Sequence, residues 1–409
     1  MEDKSEAITS RDHFDVVVSG ASCAGLFTAE KLAKSGRKVV LFERKSSPQE
    51  PQRTWIVTDR FRSILGDSPS DVIVHETGVM RVNAGDSSAS IILQPPDLIV
   101  ERTALLRHLT SRAIEAGVEI RESSEVTDFS FEKDGVSLSI KDRSTDVSYK
   151  VGACDLILAG GTNCQITKSL SDVPQKVIPI VQAVVNLPED YDPTVTEVWF
   201  ERDSTTYFYW LIPDSPSTGV LGFVGESPSR ARAEVHDFIR KKGFEPLSYQ
   251  GAMIPLHQPL RRLEWRSSGG RVLLVGDAAA HVKVTTVGGV VSGLWGAEAA
   301  ARSILRKTSY QRELMSLNME LYLHDFIRWS MDRFDQNMYE ELVCMMSDSL
   351  KGFLGRRNRD SMAGGILELI ARQPRVIPLG LRSIFMPYRG LDPSRSKEDS
   401  RIGKRVEEI

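Results

Sequence analysis

The period of the apolar positions changes several times along the chain. Phe14 to Ser19 is a short β-rich apolar run of the kind that forms a strand buried on both faces. From Ala24 to Lys34 the period becomes helical, with Leu26, Phe27, Ala29, Leu32 and Ala33 available to one face and Gly36 as the stop. Lys38 to Phe42 reads as a second strand, and Glu43 stands at its end. This order of strand, glycine turn, helix, strand and acid predicts a βαβ unit of the dinucleotide-binding type.

Val72 to Leu98 alternates apolar and polar residues around a Gly-Asp-Ser-Ser turn at Gly85 to Ser88, which predicts a hairpin. Several β-rich segments separated by Pro and Gly fill Val177 to Gly225, and Ser229 to Gly243 reads as a short helix. Arg271 to Val275 is a further strand, ended by Gly276-Asp277; a small-residue helix follows it, and Gly288 and Gly289 open another. After Ala300 the pattern is helical to about Ser349, with Met345 and Met346 available to core or to a channel. Met362 to Tyr388 is apolar but interrupted by Pro374 and Pro378, and residues from Arg389 on are charged. The fold class expected is α/β: a Rossmann-type nucleotide domain (residues 1–75, 99–170 and 265–310) with an inserted antiparallel β-sheet domain on the substrate side (76–98 and 171–264). A C-terminal helical region and charged tail (311–409) complete it.

Composition narrows the function classes. Across 409 residues, 52 Lys and Arg oppose 55 Asp and Glu, so no basic field favours nucleic acid. The four cysteines form no CxxC pair and no His-spaced ligand pattern, so no metal site is expected. The charged N-terminus has no apolar signal core, and no run approaches the roughly 20 apolar residues of a membrane span. A cytoplasmic protein able to lie against a membrane surface is expected.

The candidate chemistry begins in the loop SGASCAG. Gly20 lets the chain turn off the strand, Gly25 lets the helix pack close, and the amides of Cys23 and Ala24 open the helix toward a pyrophosphate. Ser22 replaces the middle glycine of the usual fingerprint, with a hydroxyl able to reach a phosphate oxygen. Glu43, followed by Arg44, is placed to accept from adenosine ribose hydroxyls. Far along the chain, Asp277 is suited to ribityl hydroxyls. The helix opened by Gly288 and Gly289 would turn its positive end to a flavin.

The stretch LLVGDAAAHVKVTTVGG resembles the second FAD motif of flavoproteins built like p-hydroxybenzoate hydroxylase. Within these it is most similar to the geranylgeranyl reductase family, departing at Val284, where the family usually has proline. The resemblance covers roughly residues 14 to 300 and implies bound FAD, with Arg102 reaching it; a plain helix-start role for Arg102 is the alternative. TTYFYWLIPD resembles the family's aromatic substrate segment, which implies that Phe208, Trp210, Ile212 and Pro213 wall an apolar pocket; a strand filling a sheet core is the alternative.

Hydroxylases of this fold usually carry a second aspartate after the central strand, where this chain reads Gly160-Gly161-Thr162-Asn163-Cys164. Three readings follow. The first is a reductase that saturates C=C bonds of a prenyl chain by hydride transfer from flavin N5. Its proton would come from water, from the flavin or from His281, and its electrons from an external donor that the sequence does not identify. The second is a monooxygenase or halogenase on an aromatic or polyketide-like substrate. The third is a catalytically quiet FAD protein that carries or senses a prenyl lipid.

Overall fold

Two mixed sheets organise the chain in the computed structural model, which describes residues 12–46, 53–66, 72–162, 164–170, 174–225 and 227–388. The first apolar run becomes the central strand β1 (His13–Ser19), parallel to β2 (Val39–Phe42) on one side and to β9 (Ser148–Leu158) on the other. β16 (Arg271–Leu274) extends the parallel array beyond β9, and β6 (Glu119–Arg121) extends it beyond β2. β15 (Glu264–Arg266) closes one edge antiparallel, while β7 (Ser124–Glu132) and β8 (Gly135–Asp142) form a hairpin that pairs with β9.

Both faces of β1 are covered, which is why its run is apolar without alternation. Val16 and Val18 join a core with helices α1 (Cys23–Ala33), α3 (Arg102–Glu115) and α6 (Val290–Leu305). Val17 turns to the other side, against Leu156, Leu274 and Val136 of the hairpin layer. The Tyr310 hydroxyl, fully buried in the short helix α7 (Tyr310–Glu313), donates within reach of two carbonyls, Leu274 O at 3.0 Å and Gly296 O at 3.2 Å. It thereby ties β16 to α6.

The second sheet runs β14-β10-β13-β12-β11-β4-β5-β3. Its strands are β3 (Thr54–Val57), β4 (Ile73–Ala84), β5 (Ser87–Glu101), β10 (Val177–Asn186), β11 (Val195–Phe200), β12 (Tyr209–Pro213), β13 (Thr218–Val224) and β14 (Glu245–Pro255). It is antiparallel except where β11 lies parallel to β4. The expected hairpin is present, and the sheet takes in Thr54–Val57 and the ends of β4 and β5. Its limits thus run wider than the segment 76–98, because β5 continues unbroken into the start of α3. The helix expected near Ser229 is α5 (Pro228–Lys242), which covers one face of the sheet with Val235, Phe238 and Ile239. Short helices α2 (Arg60–Leu65) and α4 (Gln165–Ser169) follow β3 and β9.

Helical structure continues past Ser349. After α8 (Met315–Met331) come α9 (Gln336–Cys344), α10 (Asp348–Arg356), α11 (Ile366–Arg372) and α12 (Val376–Phe385). Pro378 is accommodated because it falls in the first turn of α12, where an amide is not needed. Met338, Tyr339 and Val343 pack on Val82, Ile91 and Leu93 of the β4–β5 hairpin, and Met345 and Met346 lie against the same cluster. The charged segment from Arg389 lies outside the described residues. No described helix is long and apolar enough to cross a membrane.

Replacing Tyr310 by Phe removes the hydroxyl shared by β16 and α6 without changing side-chain volume. We expect a loss of about 1–2 kcal/mol of unfolding free energy, measured by urea denaturation. An unchanged midpoint would mean that this tie contributes nothing.

Candidate functional site

The glycine loop joins β1 to α1 by a turn that only glycine accepts. Gly20 has φ +106°, and a Cβ there would lie 2.9 Å from the Ala159 carbonyl at the end of β9. A Cβ on Gly25 would collide with the Gly20 carbonyl oxygen. Ser22 is the N-cap of α1, its hydroxyl accepting from the Gly25 amide at 3.2 Å. The serine thus stands where it finishes the helix start. The Ala24 amide, also in the first turn, finds no acceptor among the described residues. Glu43 leans back onto this loop: one carboxylate oxygen accepts from the Ala21 amide at 2.7 Å and the other from the Lys45 amide at 3.0 Å. Arg44 beside it is exposed.

Arg102 begins α3 but does not cap it, because the Glu101 carboxylate accepts from the amides of Thr103 at 2.9 Å and Ala104 at 2.6 Å. The guanidinium instead lies 5.7 Å from the centre of the Trp55 ring and interacts electrostatically with Cys23 and Asp277. Burial pushes the Cys23 thiol up to about 12, with Arg102 opposing and Asp277 adding to the shift. Asp277 is exposed to solvent, yet protein crowds it enough to raise its carboxyl above the usual range, with Arg102 pulling it back. Exposure and desolvation coexist for a side chain that lines a concave cleft. Positions 23, 102 and 277, remote in sequence, therefore share one site.

Asp277 lies in a 3-10 turn (Gly276–Ala279) after β16, and a Cβ on Gly276 would lie 2.9 Å from that of Ala24. The following loop folds back so that the Lys283 amide donates to Gly288 O at 3.1 Å and the Thr286 amide to Lys283 O at 3.2 Å. It closes in this way with Val284, buried, in place of proline. Gly289 is the N-cap of α6, and a Cβ on it would lie 3.0 Å from Val282 and 3.4 Å from the Asp277 carboxylate. These residues fit a dinucleotide cofactor: bare backbone at the turn, an amide without an acceptor, a cationic side chain and a carboxylate in one cleft. Among the described residues no His, Cys, Asp and Glu cluster is arranged to hold a metal ion.

His281 departs from its expected role as a proton donor. It is 1% exposed, neither ring nitrogen has a hydrogen-bond partner, and its ring fills the space that a side chain on Gly296 of α6 would occupy. Burial pushes its pKa down to about 3, with His257 and Arg261 adding to the shift. The imidazole is therefore neutral and shielded from water.

The aromatic segment divides by strand parity. Trp210, Phe208 and Ile212 pack with Ile178, Tyr207 and Val224, and Val287 of the loop before α6 joins the same cluster. Tyr209 and Leu211 face the other way, toward α5. Pro213 ends β12 on the parity of Tyr209, so it does not share the Trp210 face. Gly222 is paired with Trp210 across the sheet, and a Cβ on it would collide with the indole. Sequence reading did not single out Gly222, although a glycine inside a strand pattern often marks such a close approach. Asn163, in the segment where an acid is missing, lies outside the described residues. A polar cavity of about 370 Å³ lined by Asp59, Arg60, Ser63, Ile64, Glu298, Asn358 and Ser361 shares none of these positions.

A sequence family described as an FAD binding domain matches residues 13–294. Digeranylgeranylglycerophospholipid reductase 1 of Methanosphaera stadtmanae is 25% identical over 327 residues, which is 75% of this chain and 80% of the relative. Digeranylgeranylglycerophospholipid reductase 2 of Methanothermobacter thermautotrophicus is 27% identical over 294 residues, 68% and 74% of the two chains. Among solved structures, a geranylgeranyl bacteriochlorophyll reductase-like protein from Thermoplasma acidophilum matches with a TM-score of 0.75 at 17% identity, over 90% of this chain and 98% of that one. The p-nitrophenol 4-monooxygenase of Pseudomonas putida matches with a TM-score of 0.68 at 15% identity, over 88% and 99%. These structures share the fold.

Two outcomes test the site. Gly289→Val, which crowds both Val282 and Asp277, is expected to weaken FAD retention at least tenfold while circular dichroism stays native. Full retention would place the cofactor elsewhere. The second concerns pH. The folded pKa of His281, about 3, lies below the usual value of about 6.5. The unfolded chain therefore takes up a proton that the folded chain refuses. This contribution is fully present above about pH 6.5 and is lost as pH falls toward 3, at up to roughly 1.4 kcal/mol per pH unit. His281→Gln should flatten the fall of the urea midpoint between pH 7 and 5, and parallel curves for the two proteins would refute the assignment.

Proposed function

The chain belongs to the FAD binding domain family, and from that membership we propose that it is a reductase that saturates C=C bonds of a geranylgeranyl-type chain carried on a lipid. One observation carries the reading. The aromatic face of Phe208, Trp210 and Ile212 is continuous with Val287, so an apolar wall adjoins the loop that leads into α6. Long isoprenoid chains offer no hydrogen-bonding group, and apolar walls of this kind are what can bind them. The reductase names of the two relatives agree with this substrate class.

The first turn of α1, with Gly20 and Ser22 to Gly25, would hold the pyrophosphate, and Glu43 the adenosine ribose. The Glu43 oxygens already accept one amide each, but a carboxylate has lone pairs left for two hydroxyls. Arg102, Asp277 and the start of α6 would hold the remainder of the cofactor, Arg44 being too exposed to contribute more than charge. Reduced FAD supplies a hydride for one alkene carbon, and an external donor must restore it after each turnover. The chain's own part is to press the alkene into place and to exclude water along the Trp210 face. The proton for the second carbon comes from water or another group, because His281 is neutral and buried.

The substrate's lipid nature gives meaning to a stripe on α8. Met315, Met319, Tyr322, Phe326 and Trp329 are exposed at helical spacing. Ser330 of α8 bonds Ser383 of α12 at 2.7 Å, and α12 exposes Leu381, Ile384 and Phe385. Arg333 stacks 4.0 Å over Trp329, an arrangement of aromatic and cation suited to the headgroup level of a bilayer. This face would rest on the membrane that stores the substrate.

The test is anaerobic. The flavin is reduced with dithionite and the protein is given a digeranylgeranyl phospholipid in vesicles. We expect flavin re-oxidation and a product heavier by one H2 per reduced double bond. Trp210→Ala should lower kcat/KM for the lipid more than tenfold with FAD still bound. Phe326→Ser with Phe385→Ser should lose turnover on vesicles but keep it on detergent-dispersed lipid. Reduced flavin that ignores the lipid yet reacts quickly with oxygen would favour a monooxygenase instead.

A further inference from the structure

The loop that precedes α6 carries a lysine whose partner lies outside the part of the chain that the FAD family matches. Lys283 is 9% exposed, and its ammonium forms an ion pair with Asp360, itself 3% exposed. Asp360 sits in the connection after α10, beyond residue 294. Its other carboxylate oxygen accepts from the Thr58 hydroxyl at 2.5 Å, and its backbone carbonyl accepts from Arg60 at 3.2 Å. Arg60 in turn lies 3.6 Å over the ring of Trp295 in α6. Next to this pair, Arg359 binds the buried Asp97 of β5 at 2.5 Å, and His324 of α8 exchanges a hydrogen bond of 2.5 Å with Thr285 of the loop. The connection after α10 and helix α8 therefore both meet the loop, at Lys283 and Thr285.

Lys283 and Arg359 stand against Asp360 and Asp97, while burial holds His324 neutral by pushing its pKa down to about 4, helped by the Lys283 charge. Burial raises the Asp360 carboxyl, but Lys283 and Thr58 outweigh it and leave it ionised, below the usual range. The ammonium lies beside the start of α6: Lys283 Nζ is 4.0 Å and Cε 3.6 Å from where a Cβ on Gly288 would stand. A charge at that place acts on the same region as the helix's positive end, and a low-dielectric surround keeps its effect from being screened.

The geometry points to Lys283 and Asp360 as a positioning pair that sets the electrostatic potential at the flavin end of α6, and thereby the reduction potential of the bound FAD. The assignment rests on the site reading at Gly288-Gly289 and needs no particular substrate. Removing either charge leaves the other uncompensated, with opposite signs. Asp360→Asn leaves a net cation, which favours the reduced, more negative flavin and raises the potential. Lys283→Met leaves a net anion and lowers it.

Midpoint potentials of the FAD-loaded full-length protein are measured against a reference dye, with no lipid present. About a tenfold change in the preference for reduced over oxidised flavin is expected in each direction, about 30 mV for a two-electron couple. The Lys283→Met, Asp360→Asn double variant should return close to the parent value. A purely structural pair would lower the melting temperature in both single variants without moving the potential in opposite directions, and that result overturns the proposal. If one single variant does not fold, the other carries the test alone, and a potential that it leaves unmoved overturns the proposal. Failure of the site reading is seen separately, as FAD binding that is indifferent to Gly289→Val.

Discussion

The structure depends on three pieces of backbone that approach one another with almost no side chain between them. The turn after β1, the 3-10 turn after β16 and the start of α6 come from opposite ends of the nucleotide domain, yet Gly276 reaches Ala24 of α1 and Gly293 of α6 reaches Gly276. Such contact is possible only where side chains are absent, and it brings amide dipoles and the Asp277 carboxylate into one cleft. The parallel strands β1, β9 and β16 set the distance, because their register is locked by ladders of buried Val, Leu and Ile. Cofactor binding is thus a consequence of how tightly the first sheet is packed.

Most of this was legible in the sequence, since it is written in local patterns. Apolar runs bounded by glycine mark the parallel strands, and a strand ending in Gly-Asp followed by small residues marks the second half of the cleft. Positions 23, 102 and 277, each read from the sequence as cofactor-binding, lie together in the structure. What was not legible depends on direction in space. His281 sits among flavin-loop residues in the sequence, but the turn at Ala280, with φ +55°, sends its ring into the core against α6. Pro213 belongs to the aromatic motif by spacing, while strand parity gives it to the other face of β12. Gly222 has no neighbour in sequence that would reveal the indole it accommodates.

The C-terminal helices offered even less to read, because helical periodicity says which face is apolar and nothing about what a connecting segment touches. Asp360 lies in an irregular connection with no motif around it, and only the fold shows that it meets Thr58, Lys283 and Arg60 at once. Long-range polar contacts of this kind have no local signature, and they are where sequence patterns end.

A buried ion pair is an expensive way to close a loop. Taking Lys283 and Asp360 out of water costs several kcal/mol per ion, so well-packed apolar residues would often hold the segment as firmly. Stability alone is therefore a weak reason for charge at this place. The neighbouring arrangement points the same way: His324 is kept neutral, Asp97 is matched by Arg359, and the Lys283 ammonium lies beside the start of α6. Placing a cation beside a helix start is unfavourable unless negative charge arrives to meet both. Asp360 supplies part of it in the resting protein. The extra electron density of a reduced cofactor is the remaining candidate, and it would link Asp360 to the chemistry of the stretch that the FAD family matches.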